Sequence, residues 1–223
     1  MCGRYTQTLP AIDVAEDLGL EKPDFTFVPR FNAAPTQLLP VITNEEPGKM
    51  QLLRWGLIPF WAKDTSIGNR MINARAETVA VKPAYKHAFK KRRCLIISDG
   101  FYEWKKTPHG KVPHHIKLNS GKAMTFAGLW ERWVDKETGE EISSFTLITT
   151  EPNELMAPIH DRMPVIIPKH KRGFWLSPDS QAEALQELLI SYPAGEMVAM
   201  PVSTLVNSPR NDGPELLQKD TLF

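Results

Sequence analysis

The cysteine at position 2 is the residue in this sequence with the most distinctive potential chemistry. If the initiator methionine is removed, Cys2 carries a thiol and a free α-amine on adjacent carbons. Their usual pKa values, about 8.5 and about 7.7–8.0, leave a useful fraction of each group reactive near neutral pH. Such a 1,2-aminothiol can trap an aldehyde, because the amine forms an imine and the thiol closes on it to give a five-membered thiazolidine. The alternative interpretation is an arbitrary residue on a frayed terminus.

A carboxylate framed by aromatic residues is the second candidate for chemistry. Glu103 lies between Tyr102 and Trp104, shortly after the apolar segment Cys94–Ser98, which predicts a buried strand. Burial among aromatic residues raises a carboxyl pKa, so a glutamate becomes useful as a general acid or base near neutrality. Cys94 is interpreted as a small core hydrophobe rather than a nucleophile.

Three polar residues in a row, His160, Asp161 and Arg162, precede another apolar segment. A histidine can move protons at physiological pH, and an arginine can bind a phosphate through two hydrogen bonds. The alternative is a structural histidine near a strand. The pair His114 and His115 suggests a metal, but no cysteine or carboxylate stands at ligand spacing, so we predict no metal site. Phosphate-binding glycine loops and serine-hydrolase motifs are absent from the sequence, and no cofactor is expected.

Two further segments bear on nucleic-acid binding. Lys82–Arg93 is the most basic part of the chain and predicts a helix whose face is either merely solvated or binds a polyanion. Trp55 and Trp61 flank a loop containing glycine and proline. We interpret Trp55 as a core residue and Trp61 as an exposed stacking or wedge residue.

Composition limits the class of protein. The 223 residues are 42% hydrophobic and 24% charged, which is typical of a globular protein. Lys+Arg 27 against Asp+Glu 26 leaves a net charge of +1, so binding of a polyanion must rely on local clusters. Two cysteines form no disulfide framework, and no signal peptide or membrane span is recognisable. We therefore expect a cytoplasmic protein without a membrane partner.

The predicted elements favour an α+β fold. Apolar spacing predicts helices at Ala11–Leu20, Glu154–Ala157 and Ser180–Leu189, the last capped by Ser177 or Asp179. Strands are predicted at Leu38–Thr43, Met50–Leu57, Cys94–Ser98, His115–Leu118, Met124–Trp130, Ser144–Thr150, Val165–Ile167 and Val198–Val202. Many short strands without regular βαβ alternation indicate one domain over residues 1–223, with a curled, barrel-like, mostly antiparallel core and peripheral helices.

Several segments together resemble one family. They are Met1–Arg4 (MCGR), Phe31–Pro35 (FNAAP), Trp55–Pro59 (WGLIP), Asn73–Thr78 (NARAET), Arg93–Leu95 (RCL) with Gly100–Trp104 (GFYEW), His160–Pro164 (HDRMP) and Val206–Asn207. Their order and their span over essentially the whole chain are similar to those of the SRAP family, the SOS-response-associated peptidases. The resemblance implies a protein that binds single-stranded DNA and joins covalently to abasic sites through the N-terminal cysteine, shielding the lesion during the DNA damage response.

The resemblance also assigns roles. Asn73 would orient the Cys2 terminus and the sugar, Glu103 would shuttle protons during ring opening and closure, and His160 would serve imine formation and the reverse reaction. The residues assigned to DNA binding are Arg4, Arg75 and Arg162 for phosphates, and Pro35 and Trp61 for bases. At the second wedge position this chain has Ala62, where some relatives carry another tryptophan. A monomer, associated with the nucleoid in a bacterium, is expected.

Two other functions stay open from the sequence. A terminal cysteine beside a base is also an N-terminal-nucleophile arrangement, so a thiol peptidase that releases its own Met1 is the first alternative. Reversal of the crosslink, or β-elimination from the imine, would make the protein formally a lyase. The second alternative is a non-covalent reader of modified or single-stranded DNA that relies on the arginines and the Lys82–Arg93 segment.

Overall fold

Apolar segments with alternating side chains form most of the strands in this computed structural model, which describes residues 2–25 and 28–218. The strands of the described residues are β1 Tyr5–Gln7, β2 Arg30–Ala33, β3 Leu38–Thr43, β4 Gln51–Trp55, β5 Asn73–Arg75, β6 Arg93–Ser98, β7 Gly100–Thr107, β8 Gly110–Leu118, β9 Met124–Val134, β10 Glu141–Thr150, β11 Met163–Pro164 and β12 Met197–Pro201. The α-helices are α1 Ala11–Leu18, α2 Lys86–Lys91, α3 Arg172–Leu176 and α4 Ala182–Gln186. Short 3-10 segments lie at Thr65–Arg70, Lys169–Lys171, Ala194–Glu196, Thr204–Asn207 and Pro214–Leu217.

Five strands close into a barrel. Following the hydrogen bonds, β10 pairs with β4, then β3, β6 and β9 follow, and β9 pairs again with β10. Within this ring only the β4–β10 contact is parallel. Alternation sends one set of side chains inward, where Leu39, Trp55, Ile96, Phe126 and Phe145 form a buried core. The predicted α+β class with a barrel-like, mostly antiparallel core is therefore confirmed.

A second, antiparallel sheet covers the barrel. Its strand order is β12-β8-β7-β1-β2. From this sheet Tyr5, Phe101 and Ile116 pack into the barrel core, and the Tyr5 ring lies 5.1 Å from Trp55 and 6.1 Å from Phe126 between ring centroids. This packing anchors β1, and with it the residues just before it, between the two sheets.

The helices lie on the outer surface of the barrel. Val14 of α1, Phe89 of α2, Trp175 of α3 and Leu185 of α4 belong to a second buried core that covers the outward-facing side chains of β6 and β9. The prediction of peripheral helices is thus confirmed. No helix among the described residues is long and apolar enough to cross a membrane. The assignment of residues 1–223 to one domain stays a prediction.

Most predicted elements have observed counterparts, but several bounds differ. The predicted helix at Glu154–Ala157 is wrong, since the segment forms turns. Flanking prolines at 152 and 158 leave too few residues for a continuous helix. Helix α4 is shorter than predicted, and its N-cap, Gln181, makes no side-chain capping bond, so neither Ser177 nor Asp179 caps it. The strand predicted at Val165–Ile167 lies earlier, at β11.

The basic segment divides between surface and interior. Arg93 is fully buried, and its guanidinium donates to four carbonyl oxygens. These belong to Phe89 (3.0 Å) and Lys90 (2.7 Å) in the last turn of α2, and to Trp175 (2.7 Å) and Ser177 (2.6 Å) at the end of α3. Arg93 therefore supplies hydrogen bonds to backbone carbonyls at helix ends, which have no partner within the helix. Its charge is buried and forms no part of a basic surface.

We predict that Arg93→Ala lowers the free energy of unfolding by at least about 3 kcal/mol, because several buried carbonyls lose a charged donor at once. Urea unfolding followed by circular dichroism measures this change. The exposed Lys86→Ala on the same helix serves as the control and is expected to stay within about 0.5 kcal/mol of the parent. An Arg93→Ala protein as stable as the control would show that water replaces the guanidinium without penalty.

Candidate active site

Strand β10 carries the segments that form the candidate site. Its residues Leu147 and Thr149 pair in parallel with Asn73 and Arg75 of β5. Because side chains alternate along a strand, Asn73 and Arg75 lie on one face while Ala74, between them, is buried in the helix-covered core. The Asn73 amide and the Arg75 guanidinium therefore lie on the same side of β5.

Cys2 is held at this site through its backbone carbonyl group. Its carbonyl oxygen accepts a hydrogen bond from Asn73 Nδ2 at 2.8 Å, and the Asn73 carbonyl in turn accepts from the Tyr85 hydroxyl at 3.2 Å. The Cys2 side chain is fully buried, with Sγ 3.8 Å from the carbonyl oxygen of Arg4. Asn73 and Cys2 are thus in direct contact, and the orienting role of Asn73 stays a prediction.

Burial controls the protonation of both candidate reactive groups. Burial raises the pKa of the Cys2 thiol well above its usual value, and the neighbouring Glu103 carboxylate raises it further. Glu103 is 2% exposed on β7, and burial raises its pKa to about 7. The thiol is therefore protonated in the resting site, whereas Glu103 can give or take a proton near neutral pH.

His160 lies next to Glu103. Its Nε2 is 3.7 Å from Glu103 Oε2, a separation longer than a hydrogen bond but one that acid–base pairs commonly close when substrate binds. The backbone N–H of Arg162 donates to His160 Nδ1 at 3.0 Å, which favours the neutral tautomer with its proton on Nε2, facing Glu103. Burial lowers the pKa of His160, so the imidazole is neutral near pH 7.

The three candidate phosphate-binding arginines differ in their surroundings. Arg162 makes a two-pronged ion pair with Glu77, at 2.7 and 3.0 Å, and donates to the Thr149 carbonyl at 2.6 Å. The hydrogen bonds from Arg162 to the Glu77 carboxylate lower the pKa of Glu77. Arg4 is half-buried and donates to the Gly3 carbonyl at 2.9 Å, whereas Arg75 is exposed. A phosphate at Arg162 would therefore have to compete with Glu77.

The candidate base-contacting residues lie on two loops beside β4. Pro35 is half-buried in a turn in which Gln37 N–H donates to the Ala34 carbonyl at 3.4 Å, and Thr36 has a left-handed φ of 77°. A β-branched residue such as threonine rarely adopts this conformation. The backbone at Thr36 is therefore strained, as is often found in functional loops. Trp61 is 52% exposed, as predicted.

Sequence reasoning missed three residues that support the site. Glu77, Thr149 and Tyr85 bind Arg162 or Asn73, but no role was assigned to any of them. A role for Glu77 could have been predicted, because it lies two residues after Arg75 in the family segment Asn73–Thr78. The sequence around Tyr85 and Thr149 contains no motif that indicates a role at the site. Among residues 2–25 and 28–218, no group of three or more histidine, cysteine, aspartate or glutamate side chains is placed to hold a metal ion.

Comparison with known proteins gives the family. A family model described as SOS response associated peptidase (SRAP) matches residues 1–209. Abasic site processing protein YoqW of Bacillus subtilis (strain 168) is 45% identical over 223 residues, covering 98% of this chain and 99% of that protein. Abasic site processing protein YoaM of the same organism is 44% identical over 225 residues, covering 99% of each.

A solved structure agrees with these relatives. The crystal structure of a protein from Bacteroides thetaiotaomicron superposes with a TM-score of 0.90 at 30% sequence identity, covering 98% of this chain and 100% of that one. The family match spans well over half of the sequence, and it includes the segments that place Cys2, Asn73, Glu103 and His160 together. This chain belongs to the SOS response associated peptidase (SRAP) family.

Proposed function

We propose that this protein processes abasic sites in single-stranded DNA by trapping the ring-opened deoxyribose aldehyde as a thiazolidine on Cys2, after Met1 has been removed. The observation that carries the proposal is the arrangement of Cys2, hydrogen-bonded by Asn73 and next to the pair formed by Glu103 and His160. The names of the relatives, abasic site processing proteins, support the choice of substrate.

The chemistry assigns each group a step. The Cys2 amine attacks the aldehyde carbon to give a carbinolamine, and protonated Glu103 donates a proton to the departing hydroxyl, so that water leaves and an imine forms. Glu103, now a carboxylate, accepts the thiol proton as sulfur bonds to the imine carbon. The imine forms in its protonated state, as an iminium whose nitrogen keeps one proton of the original amine, so ring closure leaves a neutral N–H and returns Glu103 to its protonated form. The net change is loss of one water. A carboxyl pKa of about 7 suits both directions of proton transfer.

The remaining site residues orient the reactants. Asn73, by fixing the Cys2 carbonyl, directs the adjoining amine toward the aldehyde. His160 lies near enough to Glu103 to exchange its proton and to assist imine formation and the reverse reaction, which would make the protein formally a lyase. Arg4, Arg75 and Arg162 bind phosphates that flank the lesion, and Pro35 and Trp61 contact its neighbouring bases.

The stable adduct shields the lesion as part of the DNA damage response. We place this activity in the cytoplasm, at the nucleoid in a bacterium, because the substrate is DNA and because a reactive thiol needs a reducing environment. A monomer is the expected state. The reaction needs no cofactor, since the aminothiol supplies both nucleophiles.

A non-covalent reader is the weaker proposal, because it gives no role to a fully buried Cys2 beside Glu103.

Release of Met1 by the protein itself is a second proposed activity. The same Cys2 thiol, with Glu103 as base, forms an N-terminal-nucleophile arrangement that can act on the peptide bond ahead of it. This proposal explains the family description as a peptidase without requiring proteolysis of other proteins.

Covalent trapping gives the first test of the proposed function. We predict that the wild-type protein gains the mass of an abasic single-stranded oligonucleotide minus one water, and that Cys2→Ala gains none. Intact-mass spectrometry before and after incubation measures both adduct formation and the presence of Met1. Cys94→Ala is the matched control, because Cys94 is equally buried but lies on β6 inside the barrel, and it is expected to form the adduct.

Several outcomes decide between the proposals. No adduct from wild-type protein that lacks Met1 would refute the covalent mechanism. Retention of Met1 in Glu103→Gln together with its loss in wild-type protein from the same host would support self-processing. Loss of Met1 from both would assign its removal to the host.

A second prediction concerns the role of Glu103 in proton transfer. Glu103→Gln is expected to slow adduct formation about 10²- to 10⁴-fold, the usual contribution of a general acid or base, while the Kd for DNA changes less than threefold. Single-turnover kinetics and fluorescence anisotropy give the two values. Loss of DNA affinity equal to the loss of rate would instead make Glu103 a structural residue.

A third prediction follows from the raised pKa of Glu103. Between pH 4.5 and about 7 the unfolded chain gives up this proton while the folded protein keeps it, so folding stability falls as pH rises through this window. Above pH 7 the penalty reaches about 3 kcal/mol.

Glu103→Gln removes that penalty and is expected to be more stable than wild type at pH 8, with the difference shrinking toward pH 4.5. Urea unfolding across this pH range measures the effect. The exposed Glu137→Gln is the control and is expected to follow wild type at every pH. A pH-independent difference between Glu103→Gln and wild type would contradict the raised pKa.

A further inference from the structure

A tight turn on the barrel surface presents two aromatic rings at its corners. The N–H of Ala62 donates to the Pro59 carbonyl at 2.8 Å, which places Phe60 and Trp61 at the two central positions. Glycine, proline and small polar residues usually fill such positions, because they suit the backbone of a turn and tolerate solvent. Here Phe60 is 54% exposed and Trp61 is 52% exposed. Local turn formation therefore does not explain these two residues.

Buried side chains of the barrel hold the backbone of this turn. The Ile58 N–H donates to Ser144 Oγ at 2.8 Å, and Trp133 Nε1 donates to the Ala62 carbonyl at 2.8 Å. The Phe60 N–H donates to Glu131 Oε2 at 3.3 Å. The main chain is therefore hydrogen-bonded before, within and after the two central residues, and both rings extend from this fixed backbone at the surface.

Glu131 links this turn to the basic helix α2. Glu131 as a whole residue is 2% exposed, and its carboxylate forms an ion pair with Arg92 Nη1 at 2.6 Å, with His87 Nδ1 3.8 Å away. The His87 ring lies 5.8 Å from the Phe60 ring between centroids. Exposed lysines on α2, at positions 86, 90 and 91, surround His87 with positive charge. The aromatic turn therefore borders a surface that attracts a polyanion.

The turn lies within reach of the candidate active site. Ile58 is bonded to Ser144, and Asn73 pairs with Leu147, three residues further along β10. At about 3.3 Å per residue these attachments are about 10 Å apart along the strand. That distance matches about three stacked nucleotides at about 3.4 Å each. Bases close to a lesion bound at Cys2 can thus meet the turn.

We propose that Phe60 is a second base-stacking residue beside Trp61, and that Glu131 is the positioning residue that holds the turn for both rings. The inference rests on the proposed function, since it names how that site binds the DNA flanking the lesion. Ala62, at the second wedge position of the family, has no ring, and it is 9% exposed at the end of the turn. Phe60 supplies the second ring from the other side of Trp61.

The test uses single-stranded DNA with a tetrahydrofuran abasic analogue, which has no aldehyde and therefore reports binding alone. We expect Phe60→Ala to bind about 5- to 150-fold more weakly, the usual range for loss of one base–aromatic stack. Phe60→Tyr should bind like wild type. Because stacking is not ionic, the dependence of log Kd on log salt concentration should stay unchanged in Phe60→Ala, unlike the loss of a phosphate contact.

A fluorescent base reports stacking directly. With 2-aminopurine at successive positions within four nucleotides of the analogue, wild-type protein should quench at least one position, and Phe60→Ala should restore its fluorescence. Phe174→Ala, another partly exposed phenylalanine on α3, is the matched control and should alter neither affinity nor quenching. Glu131→Gln keeps an acceptor for the turn but loses the ion pair, and should reduce quenching with Phe60 present.

The outcomes separate the two proposals. If Phe60→Ala matches Phe174→Ala in both measurements while Trp61→Ala binds weakly, the stacking role of Phe60 is wrong and the proposed function stands. Unchanged DNA affinity in both Phe60→Ala and Trp61→Ala would remove the turn from the DNA interface. If true abasic DNA also forms no adduct with wild-type protein, the proposed function itself fails.

Discussion

Pairing of β10 along both of its edges is the constraint on which the rest of the structure depends. One edge pairs with β9 and then β11, and the other pairs with β4 and then β5. These pairings close the barrel and leave the central strand without an open edge. They also fix the order of the attached segments, with the aromatic turn at Ser144, Asn73 at Leu147 and Arg162 at Thr149. A shift of one residue would turn these side chains to the opposite face.

Burial at the site sets the chemistry available there. Cys2 and Glu103 are both removed from water, and each pKa rises because the charged form is penalised. Without substrate the Cys2 thiol therefore keeps its proton, and the proposed reaction requires transfer of that proton when substrate binds. His160, neutral and next to Glu103, is suited to that exchange. The arrangement lowers folding stability above neutral pH and gives Glu103 a pKa of about 7, which suits the acid–base role proposed for it.

Long apolar segments could be predicted, and short site strands could not. Leu38–Thr43 and Cys94–Ser98 have enough consecutive apolar residues to indicate buried strands, and both are found within a residue of the predicted bounds. In contrast, β1 and β5 have only three residues each, which is too few for a periodic pattern. The strand containing Glu103, β7, was also missed, because aromatic and charged residues obscure its alternation.

The sequence by itself determined the family and the reactive groups, because their chemistry belongs to residue types and their order along the chain. Tertiary structure alone decided the environment of each group. Burial raises the pKa of Glu103, and Arg162 forms an ion pair with Glu77. Arg93 is buried, whereas Phe60 is exposed at the surface. These properties arise from contacts between residues far apart in the chain, so no local pattern of residues encodes them.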